Sequence, residues 1–122
     1  MRLIIGGVGQ GKLEYALKTY VFSQKDVAEE FSAACEKPLF DQFQQAVHSA
    51  LSEGRDPEAL TEALLSANPE VIVLCDEVGC GVIPLQREER LWRETVGRLC
   101  CRLAQEAESV ERIFCGLPMR LK

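Results

Sequence analysis

The feature that most constrains the fold is a glycine-rich segment near the start of the chain. It reads GGVGQGK over residues 6–12 and directly follows the apolar stretch Arg2–Ile5. From Leu13 to Val21 the apolar residues recur at helical spacing. Glycines let consecutive backbone N–H groups surround an anion, and the lysine places a positive charge beside phosphate oxygens. The pattern predicts a phosphate-binding loop between a strand and a helix; a glycine turn that binds nothing is the alternative.

The residues of this loop are the candidate contacts for a bound nucleotide. They are Gly6, Gly7, Val8, Gly9, Gln10, Gly11, Lys12 and Leu13. In the usual form of the motif a Ser or Thr follows the lysine, and its hydroxyl binds Mg²⁺. Leu13 occupies that position here, so the loop predicts binding of GTP or ATP but indicates Mg²⁺ only weakly.

Strand-like and helix-like segments alternate along the rest of the chain. Residues 71–75, VIVLC, are typical of a parallel strand buried on both faces, and residues 113–115 predict another short strand. Between these two lies a long amphipathic helix, predicted over residues 86–107. Between the helix predicted at residues 13–21 and the strand predicted at residues 71–75, the apolar spacing predicts only helices.

Two of those helices have recognisable boundaries: one is capped by Asp26, and one runs from Phe40 to Leu51. Strands that alternate with helices are joined in parallel by right-handed crossovers. We therefore expect residues 1–122 to form a single nucleotide-binding domain of the phosphate-loop type. Helices would cover both faces of a small, mostly parallel sheet in a three-layer α/β/α arrangement.

Two carboxylates follow the predicted strand 71–75. Asp76 and Glu77 would lie at the carboxyl edge of a parallel sheet, which is where ligands of α/β proteins bind. With Lys12 they are the candidate catalytic residues. The lysine would stabilise charge on a transferring phosphoryl group, and either carboxylate would bind a metal or accept a proton. A turn cap formed by Asp76, with Glu77 in solvent, is the alternative.

The charge balance and the cysteines limit the class of protein. The chain has 14 Lys and Arg against 19 Asp and Glu, a net charge of -5, which disfavours binding to nucleic acid. No apolar run is long enough for a membrane span or a signal peptide, so we expect a cytoplasmic protein without membrane contact. The six cysteines lack the paired spacing of a metal site. We expect reduced thiols, with Cys75 and Cys115 buried as small apolar side chains.

Three further motifs accompany the glycine loop. They are EVGCGVIP at 77–84, RLWRETVGRLCCRLAQEAESV at 90–110 and GLPMRLK at 116–122. Together with the loop they resemble the bifunctional adenosylcobinamide kinase/adenosylcobinamide-phosphate guanylyltransferase family. Those enzymes phosphorylate the aminopropanol hydroxyl of adenosylcobinamide and then transfer GMP to it through a guanylylated histidine. The resemblance implies a homo-oligomer of cobalamin biosynthesis that takes a nucleoside triphosphate and a corrinoid. It also implies four substrate-binding residues: Glu77, Gly79, Gly81 and Arg93.

The chain departs from the family in several places. Gln10 replaces a loop serine, and Leu13 replaces the hydroxyl residue. Residues 21–71 show neither the family's histidine-containing helix nor its apolar strand that ends in Asp-Cys. His48 is the only histidine and lacks arginine-rich surroundings, so we expect no guanylyl intermediate. Two functions stay open: phosphoryl transfer to adenosylcobinamide, or binding of a nucleotide or corrinoid by a non-catalytic relative that has lost the guanylyltransferase half and the Mg²⁺-binding hydroxyl.

Overall fold

The computed structural model describes residues 1–79 and 85–122. In these ranges the strands are β1 (Arg2–Gly6), β2 (Val27–Ala28), β3 (Leu39–Phe40), β4 (Ile72–Asp76), β5 (Ser109–Phe114) and β6 (Leu117–Arg120). The helices are α1 (Lys12–Thr19), α2 (Phe31–Ala34), α3 (Phe43–Ser52), α4 (Pro57–Ala67) and α5 (Arg87–Glu106), and a 3₁₀ turn spans Gln24–Asp26. None of the helices described is long and apolar enough to cross a bilayer.

The described strands form one sheet in the order β2-β3-β4-β1-β5-β6. All neighbours pair in parallel except β6, which runs antiparallel to β5. The central strand β1 places Gly6 beside Asp76 of β4 and Ile113 of β5. The residues that follow β1, β3 and β4 therefore meet at one edge of the sheet.

Helices pack on both faces of this sheet. On one face Ile4 shares an apolar cluster with Ala16 of α1. On the other face Leu3 shares a cluster with Val47 of α3 and Leu99 of α5. Leu3 and Ile4 are neighbours that point to opposite faces, as successive strand residues do. The three-layer α/β/α fold with a mostly parallel sheet is confirmed.

The prediction that only helices lie between α1 and β4 was wrong. β2 and β3 have two residues each, too few to show an alternating pattern, and Leu39 of β3 pairs with Ile72. Phe40 belongs to β3, and the helix begins only at Phe43. Phe40 and Phe43 are three residues apart, which is also the spacing of neighbouring residues on one face of a helix. In the structure Phe31, Phe40 and Phe43 come from three elements and pack edge to face, with ring centroids 5.2–5.8 Å apart.

Two other local predictions also differ from the structure. Asp26 ends the 3₁₀ turn instead of capping a helix, and its carboxylate accepts a hydrogen bond from the Ser23 N–H at 2.9 Å. Cys75 is buried as predicted, but Cys115 is exposed. Cys115 and Gly116 have φ of 52° and 75° and form the two-residue turn of the β5–β6 hairpin. A side chain at the tip of such a turn lies outside the core.

Candidate functional site

The glycine loop, residues 6–12, has a backbone that suits glycine at several points. Gly9 and Gly11 have φ of 72° and 93°, in the left-handed region. Gly6 is needed for space, because a Cβ there would lie 2.7 Å from the carbonyl oxygen of Ile113. Helix α1 begins at Lys12 with no capping side chain on Gly11. The N–H groups of its first turn can therefore bind an anion.

Lys12 is buried at the centre of this site, with 7% of its side chain exposed. Its Nζ donates to the carbonyl oxygens of Gly6 at 3.1 Å and Gly7 at 2.8 Å. The same atom lies 2.7 Å from Oδ1 of Asp76, which is the last residue of β4. The structure thus brings together Lys12 and Asp76, two of the three predicted catalytic residues. A lysine held in this way carries its charge directly beneath the loop.

The backbone of Asp76 is held by Gln44, which in turn bonds to Gln42; sequence reasoning missed both glutamines. The backbone N–H of Asp76 donates to Oε1 of Gln44 at 3.0 Å, and Nε2 of Gln44 donates to Oε1 of Gln42 at 2.8 Å. Gln44 is 2% exposed, although it is an amide on helix α3. Such a side chain leaves no periodic signal in the sequence, because its role depends on a partner 32 residues away.

Asp41 is a second carboxylate at the same edge of the sheet, and sequence reasoning missed it as well. It follows β3 as Asp76 ends β4, and it is buried. Burial raises the pKa of Asp41 above its ordinary value; the hydrogen bond from the Gln42 N–H and the nearby Lys12 charge oppose that shift. A signal was present: Leu-Phe-Asp has the same order of two apolar residues and a carboxylate as Leu-Cys-Asp at 74–76.

Glu77 lies beside the loop but is bound to an arginine. Its two carboxylate oxygens accept from Nε and Nη2 of Arg112 at 2.7 and 3.1 Å. Its backbone N–H donates to the Gly6 carbonyl at 3.0 Å, which extends the β1–β4 pairing by one bond. Glu77 therefore connects the end of β4 to β5.

The residues implied by the family resemblance occupy different positions. Gly79 and Glu77 line a cavity of about 200 Å³ against Val96 and Gly97 of α5. Arg93 is half-buried on α5. Gly81 lies outside the described residues.

His48 lies on α3 and is exposed. Its ring meets Trp92 of α5 edge to face, with centroids 5.4 Å apart. Trp92 in turn donates from Nε1 to the backbone oxygen of Gln44 at 2.7 Å.

A separate cavity of about 800 Å³ opens at the ends of β2 and β3. Its polar lining consists of Glu29, Glu30, Ser32, Gln42, Gln45, Ser49, Glu53 and Arg55. Three carboxylates against one guanidinium make this cavity unfavourable for phosphate. The cavity adjoins the site around Lys12 through Gln42, which lines the cavity and accepts a hydrogen bond from Gln44.

A glycine loop at the end of the central parallel strand β1, a buried lysine, and carboxylates at the ends of β4 and β3 mark an α/β protein with a site that can accommodate an anionic ligand. The family of cobinamide kinase / cobinamide phosphate guanyltransferase matches residues 39–121. Because this match covers more than half of the chain, the protein belongs to that family. The matched region includes Asp41, Asp76 and the β5–β6 hairpin, whereas the glycine loop precedes it.

One curated relative supports the same family. The bifunctional adenosylcobalamin biosynthesis protein CobP of Pseudomonas aeruginosa is 37% identical over 65 residues. That segment is 53% of this chain and 38% of the relative, so the match spans less than half of the relative's length.

Proposed function

We propose that the chain binds GTP or ATP in the glycine loop and transfers the terminal phosphoryl group to the hydroxyl of adenosylcobinamide. The observation that carries the proposal is the position of Lys12, buried between two loop carbonyls and Asp76. Membership of the cobinamide kinase family supports the acceptor. Residues 6–13 are then the nucleotide contacts.

Lys12 serves this reaction by exchanging partners. Its ammonium group is satisfied by Asp76 and two carbonyl oxygens before the nucleotide arrives. Phosphate oxygens above the loop can replace these partners, so the buried charge stays compensated throughout. Charge that develops on the transferring phosphoryl group is then stabilised by Lys12 and by the N–H groups of the loop.

The donor set also fits a Mg²⁺ ion bound with the phosphates. Within the described residues no cluster of three or more His, Cys, Asp or Glu could hold a metal by itself. Mg²⁺ in nucleotide enzymes needs only one or two carboxylates, because phosphates and water supply its other ligands. Asp76 and Asp41 would provide these carboxylates, while Leu13 provides no oxygen. When bound, the ion neutralises charge on the phosphates.

Glu77 has a different part in this proposal. Both of its oxygens are occupied by Arg112, so accepting a proton would break a two-point ion pair. We assign Glu77 the placement of the β4 end beside the loop. Gly79 and Arg93 stay proposed substrate contacts.

For the acceptor we propose the cavity at the ends of β2 and β3. The nucleotide lies over β1 and β4, so this cavity is the neighbouring space at the same edge of the sheet. Its lining offers the hydroxyl groups of Ser32 and Ser49 and the amides of Gln42 and Gln45, which can hydrogen-bond a polar acceptor. Gln42 contacts both the cavity and Gln44, so the acceptor would lie next to the groups that hold Asp76.

A non-catalytic nucleotide- or corrinoid-binding protein is the second candidate, and Leu13 favours it because the loop lacks the hydroxyl ligand for Mg²⁺. Two measurements separate the candidates. Calorimetry with ATP and GTP measures binding, and mass spectrometry detects phosphorylated adenosylcobinamide. Binding without transfer supports the second candidate.

The matched control for Lys12 is Lys18, a lysine on the same helix that is 80% exposed. We expect Lys12→Ala to lower nucleotide affinity by at least about tenfold, whereas Lys18→Ala leaves it unchanged. The proposal fails if neither nucleotide binds at about millimolar concentration, or if both variants bind as the wild type does.

A further inference from the structure

Gln10 belongs to the glycine loop, but its hydrogen bonds join it to the turn between β5 and β6. Oε1 of Gln10 accepts a hydrogen bond from the Cys115 N–H at 2.7 Å, and its backbone oxygen accepts from the Gly116 N–H at 2.8 Å. A Cβ on Gly11 would lie 3.4 Å from Cα of Gly116. Loop and hairpin turn are therefore in contact over two consecutive loop residues.

The Cys115–Gly116 turn, which donates these hydrogen bonds, is held in place by its two strands in the sheet. Strand β5 pairs with β1 in parallel, and the turn is closed by the pair Phe114–Leu117. Both turn residues have positive φ, as a two-residue hairpin requires. The glycines on either side of Gln10 also have positive φ and no side chain to anchor them. Gln10 is therefore the residue that connects the glycine-rich backbone of the loop, which side chains restrain little, to the Cys115–Gly116 turn.

We infer that Gln10 is a positioning residue: it docks the phosphate loop on the Cys115–Gly116 turn and so holds the loop in the conformation that binds the nucleotide. The inference rests on the proposed nucleotide binding at residues 6–13. It gives a role to the C-terminal motif that begins at Gly116, 104 residues beyond Lys12 in the chain and in contact with the loop. Since docking restricts the loop before binding, it lowers the entropy lost when the phosphates bind. Docking and nucleotide binding then strengthen each other reciprocally.

Hydrogen exchange tests docking directly, because the two donated amide protons belong to Cys115 and Gly116. In the nucleotide-free protein, Gln10→Met removes the oxygen acceptor and keeps the length of the side chain. We expect both amides to exchange about tenfold faster in that variant. Gln10→Glu keeps an oxygen acceptor and should retain the protection. Gln105→Met, at an exposed glutamine in the last turn of α5, is the matched control and should exchange as the wild type does.

Nucleotide titration tests the consequence of docking. We expect Gln10→Met to bind GTP or ATP about fivefold to tenfold more weakly, the range for loss of one neutral hydrogen bond. In the wild type, saturating nucleotide should slow exchange at Cys115 and Gly116. The β4 amides serve as an internal reference, since their unchanged exchange shows that the variant is folded.

Either of two results overturns the inference. One is unchanged exchange at both turn amides in Gln10→Met; the other is unchanged nucleotide affinity in that variant while Lys12→Ala loses binding. Failure of the wild type to bind any nucleotide is a different result. It refutes the proposed function and with it the positioning role, even where the exchange data show that Gln10 docks the loop.

Discussion

Replacing Asp76 by asparagine removes the negative partner of a buried lysine. Only 7% of the Lys12 side chain and 14% of the Asp76 side chain are exposed, so water reaches neither charge freely. Nζ keeps the carbonyl oxygens of Gly6 and Gly7, and the asparagine oxygen can still accept from it. The loss is the charge on one hydrogen bond of 2.7 Å. Such bonds contribute about 1.5–3 kcal/mol, and breaking a fully buried pair costs about 3–5 kcal/mol.

We therefore expect Asp76→Asn to lower the free energy of unfolding by about 2–3 kcal/mol. A double-mutant cycle with Lys12→Met isolates the pair, because the double variant buries no charge at either position. The coupling energy should be about 2 kcal/mol, measured by urea unfolding followed by circular dichroism. Glu14 and Lys18 form the matched control: an exposed pair 3.9 Å apart on the same helix, for which the coupling should be close to zero.

A coupling energy below about 0.5 kcal/mol for Lys12 and Asp76 would refute the reasoning. It would mean that the lysine is not held beneath the loop by the β4 carboxylate. The partner exchange proposed for nucleotide binding would then lose its starting point.

Three other predictions address the chemistry of the site. Leu13→Ser should restore an oxygen ligand and increase the Mg²⁺ enhancement of nucleotide affinity by about 1–2 kcal/mol, measured by titration with Mg²⁺ and with chelator. Incubation with GTP should leave no GMP adduct on the protein in an intact mass measurement; a stoichiometric adduct that His48→Ala abolishes would contradict this. Burial raises the pKa of Asp41, so its protonation favours the native state below the ordinary Asp pKa, and this contribution is lost as pH rises through the raised value. The stability of Asp41→Asn relative to the wild type should therefore increase between about pH 4 and about pH 7 in urea unfolding; a constant difference would exclude a raised pKa.

The sequence predicted the elements whose pattern is long or strongly punctuated. β1, the glycine loop and α1 form the strand–glycine turn–helix unit that the motif predicts, and α5 continues the same apolar spacing over 20 residues. β4 was recognised because its first four residues, 72–75, are all apolar and buried, so both of its faces are apolar up to Asp76. The two-residue strands β2 and β3 could not be recognised, since their pairing depends on neighbours distant in the chain.

The same distinction applies to the site. Lys12 and Asp76 were found because each follows a local pattern, the glycine motif or a buried strand. Gln44 and the role of Gln10 were not, since each is defined by one hydrogen bond to a distant backbone N–H. Asp41 had a local signal, since its carboxylate follows two apolar residues as that of Asp76 does. That signal was hidden because Phe40 and Phe43 are three residues apart, a spacing that indicates a helix instead of the strand β3.

The contact between Trp92 and Gln44 gives the protein a built-in optical probe. Trp92 is the only tryptophan in the chain, and its indole N–H is bonded to the backbone of the residue whose side chain holds Asp76. Indole emission depends on the polarity and hydrogen bonding around the ring. A ligand that draws Lys12 away from Asp76 would disturb this chain of bonds and change the emission of Trp92. We therefore expect that ligand binding in the glycine loop can be followed by the intrinsic fluorescence of Trp92, in a stopped-flow experiment and without an added label.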